Sequence, residues 1–182
     1  MTRTLVFSLA LALFASGAAA QHHSPYAQVK DRTIKALSDQ QIADLKAGRG
    51  MGLALPAELN GYPGPIHVLE LAEEMGLSAE QRQRTKDLFN SMKGEAVPLG
   101  DKLIEGEAKL ERLFATREIT PAALTRATQD IARLQAALRE THLKYHLSMV
   151  DLLTPAQVTR YRELRGYQPT AGSGHQHHRR HH

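Results

Sequence analysis

Residues 152–164 read LLTPAQVTRYREL, and this stretch carries the signal that decides the fold. Thr154 and Gln157 match the pattern of a capping box. In such a box the hydroxyl accepts from a free backbone N–H of the first helical turn, and the glutamine side chain accepts from the backbone N–H of the cap residue. Pro155 stands at the first helical position, where its missing N–H costs nothing. The stretch therefore predicts a short helix over residues 154–165.

The same Leu-[Ser/Thr]-x-x-Gln pattern occurs at residues 37–41, 77–81 and 153–157, with a weaker Ile-Thr-Pro copy at 119–121. Each copy predicts a helix start, and glycines mark several of the helix ends. Residues 50–65, GMGLALPAELNGYPGP, predict an ordered loop or linker because Gly and Pro interrupt helices. The predicted helices cover residues 38–47, 66–75, 78–116, 120–152 and 154–165.

The two long predicted helices carry matching apolar stripes with three- and four-residue steps, which indicate a packed seam. The first stripe contains Leu88, Met92, Ala96, Leu99, Leu103, Leu110 and Phe114, and the second contains Leu124, Ala127, Ile131, Leu134, Leu138 and Tyr145. Because the link near residues 116–119 is short, the helices must fold back as a long antiparallel hairpin, with Pro98 expected to kink the first one. We expect an all-α fold in which short flanking helices cover the hairpin, and a homodimer that covers the remaining apolar face.

The first residues have the pattern of a secretory signal peptide, with Arg3 near the start, an apolar stretch at 5–14 and small residues at 18–20. We therefore predict export to the periplasm. No later stretch has the roughly 20 apolar residues of a membrane span. The chain contains no Cys, which excludes disulfides and thiolate metal ligands. The formal net charge of +4 is small, and export argues against a nucleic-acid partner.

These patterns divide the 182-residue chain into four parts. They are a signal peptide at 1–20, an N-terminal extension with one short helix and a Gly/Pro-rich linker at 21–65, a helical-hairpin domain at 66–166, and a His-rich tail at 167–182 whose composition is typical of disorder.

His142 and His146 are four residues apart, so they lie one turn apart on one helix face, and Met149 follows on the same side. Such a pair can give two imidazoles to one ion, but a site needs further ligands. His67 and Glu70 share a face of the preceding short helix, which the hairpin brings near His146. We predict an internal site of these five residues for a transition metal, Zn, Cu, Ni or Co.

Each of these residues also has an interpretation without metal. Met149 suits a hydrophobic core, and the pair His142 and His146 suits an interface or a helix cap. His67 could be structural or solvated. Glu70 could lie on a solvated helix face, paired with a nearby cation.

The two ends hold the other seven of the ten histidines. Cleavage before Gln21 would place His22 and His23 directly after the new N-terminal residue. The free amine, two backbone amides and the imidazole of His23 would then form a nitrogen set that Cu(II) and Ni(II) favour, unless Gln21 cyclises and removes the amine. A His-rich tract lies near the C-terminus, and short His-rich tracts bind transition metals because of their composition. Its histidines are His175, His177, His178, His181 and His182. The alternatives for these ends are a pH-responsive arm and an expression tag, although irregular spacing and interleaved arginines argue against a tag.

The signal peptide, the repeated boxes and the hairpin resemble the Spy/CpxP superfamily of periplasmic LTxxQ-motif proteins, over about residues 66–165. LLTPAQVTRYREL matches the motif well, and LSAEQRQR at 77–84 is the other box. In the metal-sensing CnrX/ZraP-like branch, the resemblance implies ligands from a helix before the first box and a His-x-x-x-Met before the second. Met149 matches that methionine, whereas Tyr145 stands at its histidine position. His67 lies near the upstream His-x-x-x-His, whose second position is Leu71.

The resemblance implies two alternative functions. The first is a periplasmic transition-metal-binding protein, a heavy-metal sensor or buffer in envelope stress or metal resistance, which would signal through a membrane-bound regulator. The alternative is an ATP-independent chaperone, a holdase without a specific metal site that receives unfolded periplasmic clients in an apolar, basic cradle. The sequence contains no nucleophile elbow, paired acid motif or phosphate loop, so we do not expect an enzyme.

Overall fold

The computed structural model describes residues 26–167. The chain divides into two compact units, Met1–Asp31 and Arg32–His182. The described part of the first unit holds one short 3-10 helix, Ala27–Val29. The predicted signal peptide, His22, His23 and the five histidines of the predicted tail lie outside the described residues.

The described part of the second unit is built from helices, which confirms the all-α prediction. They are α1 (Asp39–Lys46), α2 (Leu55–Glu58), α3 (Pro65–Glu70), α4 (Ala79–Ala115), α5 (Pro121–Leu152) and α6 (Pro155–Leu164). The three predicted capping boxes are formed at Ser38, Ser78 and Thr154, each with the glutamine three residues on bonded back to the cap. The helix starts therefore lie within a residue of those predicted at these boxes.

Helix α3 is shorter than predicted, because it ends at Glu70 and turns follow up to Gly76. The N–H of Ala72 donates to the carbonyl of Leu69, and the N–H of Leu77 donates back to the carbonyl of Ala72. These bonds replace the regular helical ladder. They leave Ala72 and Leu77 buried in the core.

Residues 50–65, predicted as a loop or linker, contain the short helix α2 and lie against the hairpin. Pro56 stands in the first turn of α2, where its missing N–H breaks no helical bond. The carboxylate of Glu58, the last residue of α2, is buried. The segment is therefore an ordered cover of α5 and not a free linker.

Helices α4 and α5 form the predicted long hairpin. Helix α4 remains continuous through Pro98. Because proline has no N–H, the carbonyl of Gly94 lacks its usual helical donor, but Gly94 is exposed to water. The middle of the hairpin is filled by a cluster of Leu45, Ala96, Leu103, Ile131 and Leu138. Since Leu45 belongs to α1, this cluster also fixes α1 on α4.

The open end of the hairpin is closed by α3 and α6. A second cluster there joins Val68, Ala72, Met75, Leu77, Met149, Leu153 and Tyr161. The side chains of Gln81 and Gln157 form a reciprocal amide pair, with the two N···O distances 2.9 and 3.0 Å. Each glutamine oxygen also accepts from the N–H of its own cap residue, Ser78 or Thr154. The two boxes thus start their helices and join them to each other.

Glu107 lies half-buried on α4, and burial raises the pKa of its carboxyl above the ordinary value of 4.5. A carboxyl whose pKa is higher in the folded chain destabilises the fold at neutral pH, and this cost disappears as the pH falls below the unfolded-state pKa. Glu107→Gln is therefore expected to raise the free energy of unfolding at about pH 7 and to leave it nearly unchanged at about pH 3.5, as measured by urea titration. The exposed Glu105 provides the control; an equal gain from Glu105→Gln would assign the effect to net charge instead of burial.

Candidate metal centre

His142 and His146 lie one turn apart on α5 and are both buried, with exposed fractions of 3% and 7%. They face a pocket of about 220 Å³ that is covered by α2, α3 and the segments beside them. His67, on α3, lines the same pocket. All of the histidines among residues 26–167 therefore meet at one place.

The elements around the pocket contribute side chains of several kinds. The pocket is lined by Gly50, Met51, Gly52, Ala54, Leu55, Glu58, Gly64, Pro65, Ile66, His67, Met92, His142, His146, Arg165 and Tyr167. Glu58 brings a carboxylate, and Met92 brings a thioether from α4. Imidazole, carboxylate and thioether groups together form a donor set for transition metals.

The hydrogen bonds of His146 fix which ring nitrogen is free. Its Nδ1 lies 2.6 Å from the backbone carbonyl oxygen of Tyr62. Because a carbonyl only accepts, Nδ1 donates its proton, and in the neutral imidazole Nε2 keeps its lone pair. His67 repeats the arrangement, since its Nδ1 lies 2.9 Å from Oε2 of Glu70. An oxygen acceptor on the other ring nitrogen is the usual setting of a metal-binding histidine.

His142 differs from these two histidines in its hydrogen bonding. Its Nε2 is buried and has no hydrogen-bond partner. Burial, assisted by the neighbouring His146, lowers the pKa of His142 below its ordinary value of 6.5. The ring is therefore held neutral at neutral pH, and neutral imidazole is the form that binds metal ions.

The carboxylate of Glu58 has two oxygens in different surroundings. Oε1 accepts from the hydroxyl of Tyr161, lies 3.2 Å from the hydroxyl of Tyr167 and lies 3.4 Å from Nε of Arg165. Oε2 is buried without a hydrogen bond and lies 3.8 Å from Nδ1 of His146. A buried carboxylate oxygen without a partner is costly, and a cation in the pocket would satisfy it.

Two glycines of the covering segment pack directly on the histidine rings. A Cβ atom at Gly64 would lie 3.0 Å from Cε1 and 3.2 Å from Nε2 of His146. A Cβ atom at Gly50 would lie 3.4 Å from Nδ1 of His142. The glycines that suggested a linker in the sequence thus allow the cover to lie close to the imidazoles.

The structure brings only part of the predicted ligand set together. His67, His142 and His146 line the pocket, whereas Glu70 bonds to His67 and does not line it. Met149 is fully buried in the cluster at the open end of the hairpin and does not line the pocket either. Sequence reasoning missed Glu58 and Met92. Met92 was assigned to the apolar stripe, and Glu58 stood in a segment interpreted as a linker.

The residues present fit a transition metal by donor type and by their free lone pairs. Within residues 26–167, no group of three His, Asp or Glu side chains already stands at ligand spacing. A metal ion would therefore have to draw donors from α2, α3 and α5 together. The orphaned Nε2 of His142 and Oε2 of Glu58 are the buried atoms that such an ion would satisfy.

The fold and the pocket define a small helical-hairpin protein with a buried histidine pair beside a carboxylate. A family model described as heavy-metal resistance matches residues 66–160, just over half of the 182-residue chain. The chain belongs to this heavy-metal resistance family, and the resemblance to the Spy/CpxP superfamily is confirmed. Comparisons with curated proteins and with solved structures gave no significant match. In residues 26–167, no helix is long and apolar enough to cross a membrane.

Proposed function

We propose that this protein is a periplasmic transition-metal-binding protein that acts as a sensor or buffer in heavy-metal resistance and catalyses no reaction. The ion, Zn, Cu, Ni or Co, would be held by His142, His146, His67 and Glu58, with Met92 as a soft donor. The predicted export, the homodimer and the regulator partner belong to this proposal.

One observation carries the proposal. His142 and Glu58 expose no more than 6% of their surface, each has a buried side-chain atom without a hydrogen-bond partner, and both residues line the same pocket. Buried polar atoms are normally hydrogen-bonded, so two orphans beside one pocket support a ligand that supplies positive charge. The membership of the heavy-metal resistance family favours a metal ion as that ligand.

The test separates the pocket from the chain ends. An end-substituted chain would carry Asn at His22, His23, His175, His177, His178, His181 and His182, which leaves the three pocket histidines. Calorimetric titration with Zn²⁺ and Co²⁺ is expected to show one equivalent bound. The further change His142→Ala/His146→Ala should weaken that binding by about 100-fold or more, since removing even a supporting residue of a metal site costs about 10–100-fold.

A matched control is available on the same helix. Gln129 and Arg133 are also four residues apart on α5, but both are exposed and far along the helix from the pocket. The variant Gln129→Ala/Arg133→Ala should bind metal as tightly as its parent. If the end-substituted chain takes up no metal, the internal site is wrong, and metal binding by the protein belongs to its ends.

The second candidate function is the ATP-independent chaperone. It is favoured by an apolar groove of about 820 Å³ beside α1, lined by Leu37, Leu45, Leu53, Leu103 and Leu138 among others. Such a groove could receive an unfolded client. Suppression of client aggregation without metal, undiminished in His142→Ala/His146→Ala, would support this function over the first.

A further inference from the structure

Glu58 connects the histidine pocket to the last described helix. Its Oε1 is occupied by the hydroxyls of Tyr161 and Tyr167 and by Arg165, which all belong to α6 or directly follow it. Its Oε2 is free and lies on the His146 side. One oxygen of this carboxylate therefore contacts α6 and the residues after it, and the other lies on the side of the histidine pocket.

We infer that Tyr161 is a positioning residue of the metal pocket, which holds Glu58 so that Oε2 faces the ion and thereby couples metal binding to the docking of α6. This inference rests on the proposed function, because it assigns a support and a form of regulation to that same site.

Tyr161 is well placed for this role. It is fully buried, and its hydroxyl donates to Oε1 of Glu58. The backbone of Gly64 lies close to the same hydroxyl, and Gly64 packs on the ring of His146. The phenol hydroxyl therefore holds the carboxylate beside the part of the covering segment that lies on the histidine.

Without that hydroxyl, Oε1 would lose its one fully buried partner. Tyr167 and Arg165 would remain near Oε1, at 3.2 and 3.4 Å, but both are more exposed than Tyr161. Oε2 would then no longer be fixed toward the pocket.

The coupling works in both directions. An ion bound to Oε2 leaves the bonds of Oε1 to α6 in place and makes rotation of the Glu58 carboxylate costly. Since linkage between two binding events is reciprocal, a metal ion that favours docked α6 must bind more tightly when α6 is docked. Metal would therefore hold α6 against the body of the protein.

The main test is Tyr161→Phe in the end-substituted chain, which keeps the buried ring and removes only the hydroxyl. Co²⁺ affinity is expected to fall about 10–100-fold, the usual effect of losing a residue that orients a ligand. The visible absorption spectrum of bound Co²⁺ is expected to change as well, because the carboxylate ligand shifts. A merely structural role of Tyr161 would leave that spectrum unchanged.

Tyr145→Phe is the matched control. Tyr145 is also buried and also bonds to a glutamate, with its hydroxyl 2.8 Å from Oε1 of Glu95. Neither Tyr145 nor Glu95 lines the pocket. This variant should keep both the affinity and the Co²⁺ spectrum of its parent.

A second measurement needs no substitution at Tyr161. In the end-substituted chain, Zn²⁺ should slow amide hydrogen exchange in α6. Tyr161→Phe that binds Co²⁺ like its parent, or α6 exchange that Zn²⁺ does not slow, would overturn the inference and leave the proposed function standing. Failure of the parent chain to bind either metal would overturn the proposed function itself, so the two failures are distinguishable.

Discussion

Met149→Ala is expected to lower the free energy of unfolding by about 2–5 kcal/mol, the usual cost of removing a fully buried large side chain. Met149 has no exposed surface and packs in the cluster that includes Val68, Leu153 and Tyr161. Those neighbours come from α3, α6 and the link before α6, so a cavity at Met149 loosens the whole open end of the hairpin. Urea unfolding followed by circular dichroism measures the change.

The conservative variant separates packing from ligation at this position. Met149→Leu nearly conserves volume and should cost less than about 1.5 kcal/mol. It should also leave metal affinity unchanged, because Met149 does not line the pocket. Met92→Leu, which removes the thioether that does line it, should weaken binding of soft ions. If Met149→Leu instead loses metal while remaining folded, Met149 is a ligand, as the sequence predicted.

Gly100→Ala is expected to lower the free energy of unfolding by about 1–3 kcal/mol, although alanine is about 1 kcal/mol the better helix former. A Cβ atom at Gly100 would lie 2.6 Å from the carbonyl oxygen of Leu45, a backbone atom that moves only if α1 moves. Because Gly48 and Gly50 follow α1 and Gly50 lies against His142, a displaced α1 should also weaken metal binding. Chemical unfolding and Co²⁺ titration of the same variant measure both effects.

Gly94→Ala makes the same substitution in the same helix. Gly94 is exposed, and a Cβ atom there would meet no other atom within 4 Å. This variant should raise the free energy of unfolding by about 0.5–1 kcal/mol, the gain expected from helix propensity alone. Equal effects of the two substitutions would mean that the approach of α1 to α4 does not limit the side chain at Gly100.

The helix starts could be predicted from sequence because a capping box is closed by atoms within four residues of each other. Helix α4 was predicted over 78–116 and spans Ala79–Ala115, with Ser78 and Gln81 bonded as the pattern requires. The hairpin followed from the short link between two apolar stripes. Residues 50–65 were predicted less well, since Gly and Pro indicate an interrupted chain whether or not that chain packs on a neighbour.

The candidate site was predictable only where its members share one helix or follow from the hairpin. His142 and His146 are separated by one turn, so their common face follows from helix geometry. Glu58 could not be found, because its approach to His146 depends on how α2 folds over α5. The carbonyl of Tyr62 has no signal in the sequence, since every residue has one. The choice between Met92 and Met149 depends on the rotation of the long helices about their axes, which the periodicity does not fix.

The reciprocal pair of Gln81 and Gln157 has a consequence for how the molecule opens. Gln81, in the first turn of α4, and Gln157, in the first turn of α6, are 76 positions apart in the sequence. Each glutamine caps its own helix and also bonds to the other glutamine. Neither helix end can fray without breaking the amide pair that holds the capping glutamine of the other helix. The first turns of α4 and α6 should therefore melt and reform as one cooperative unit, so that local unfolding at this end of the protein is a single event in two distant parts of the chain.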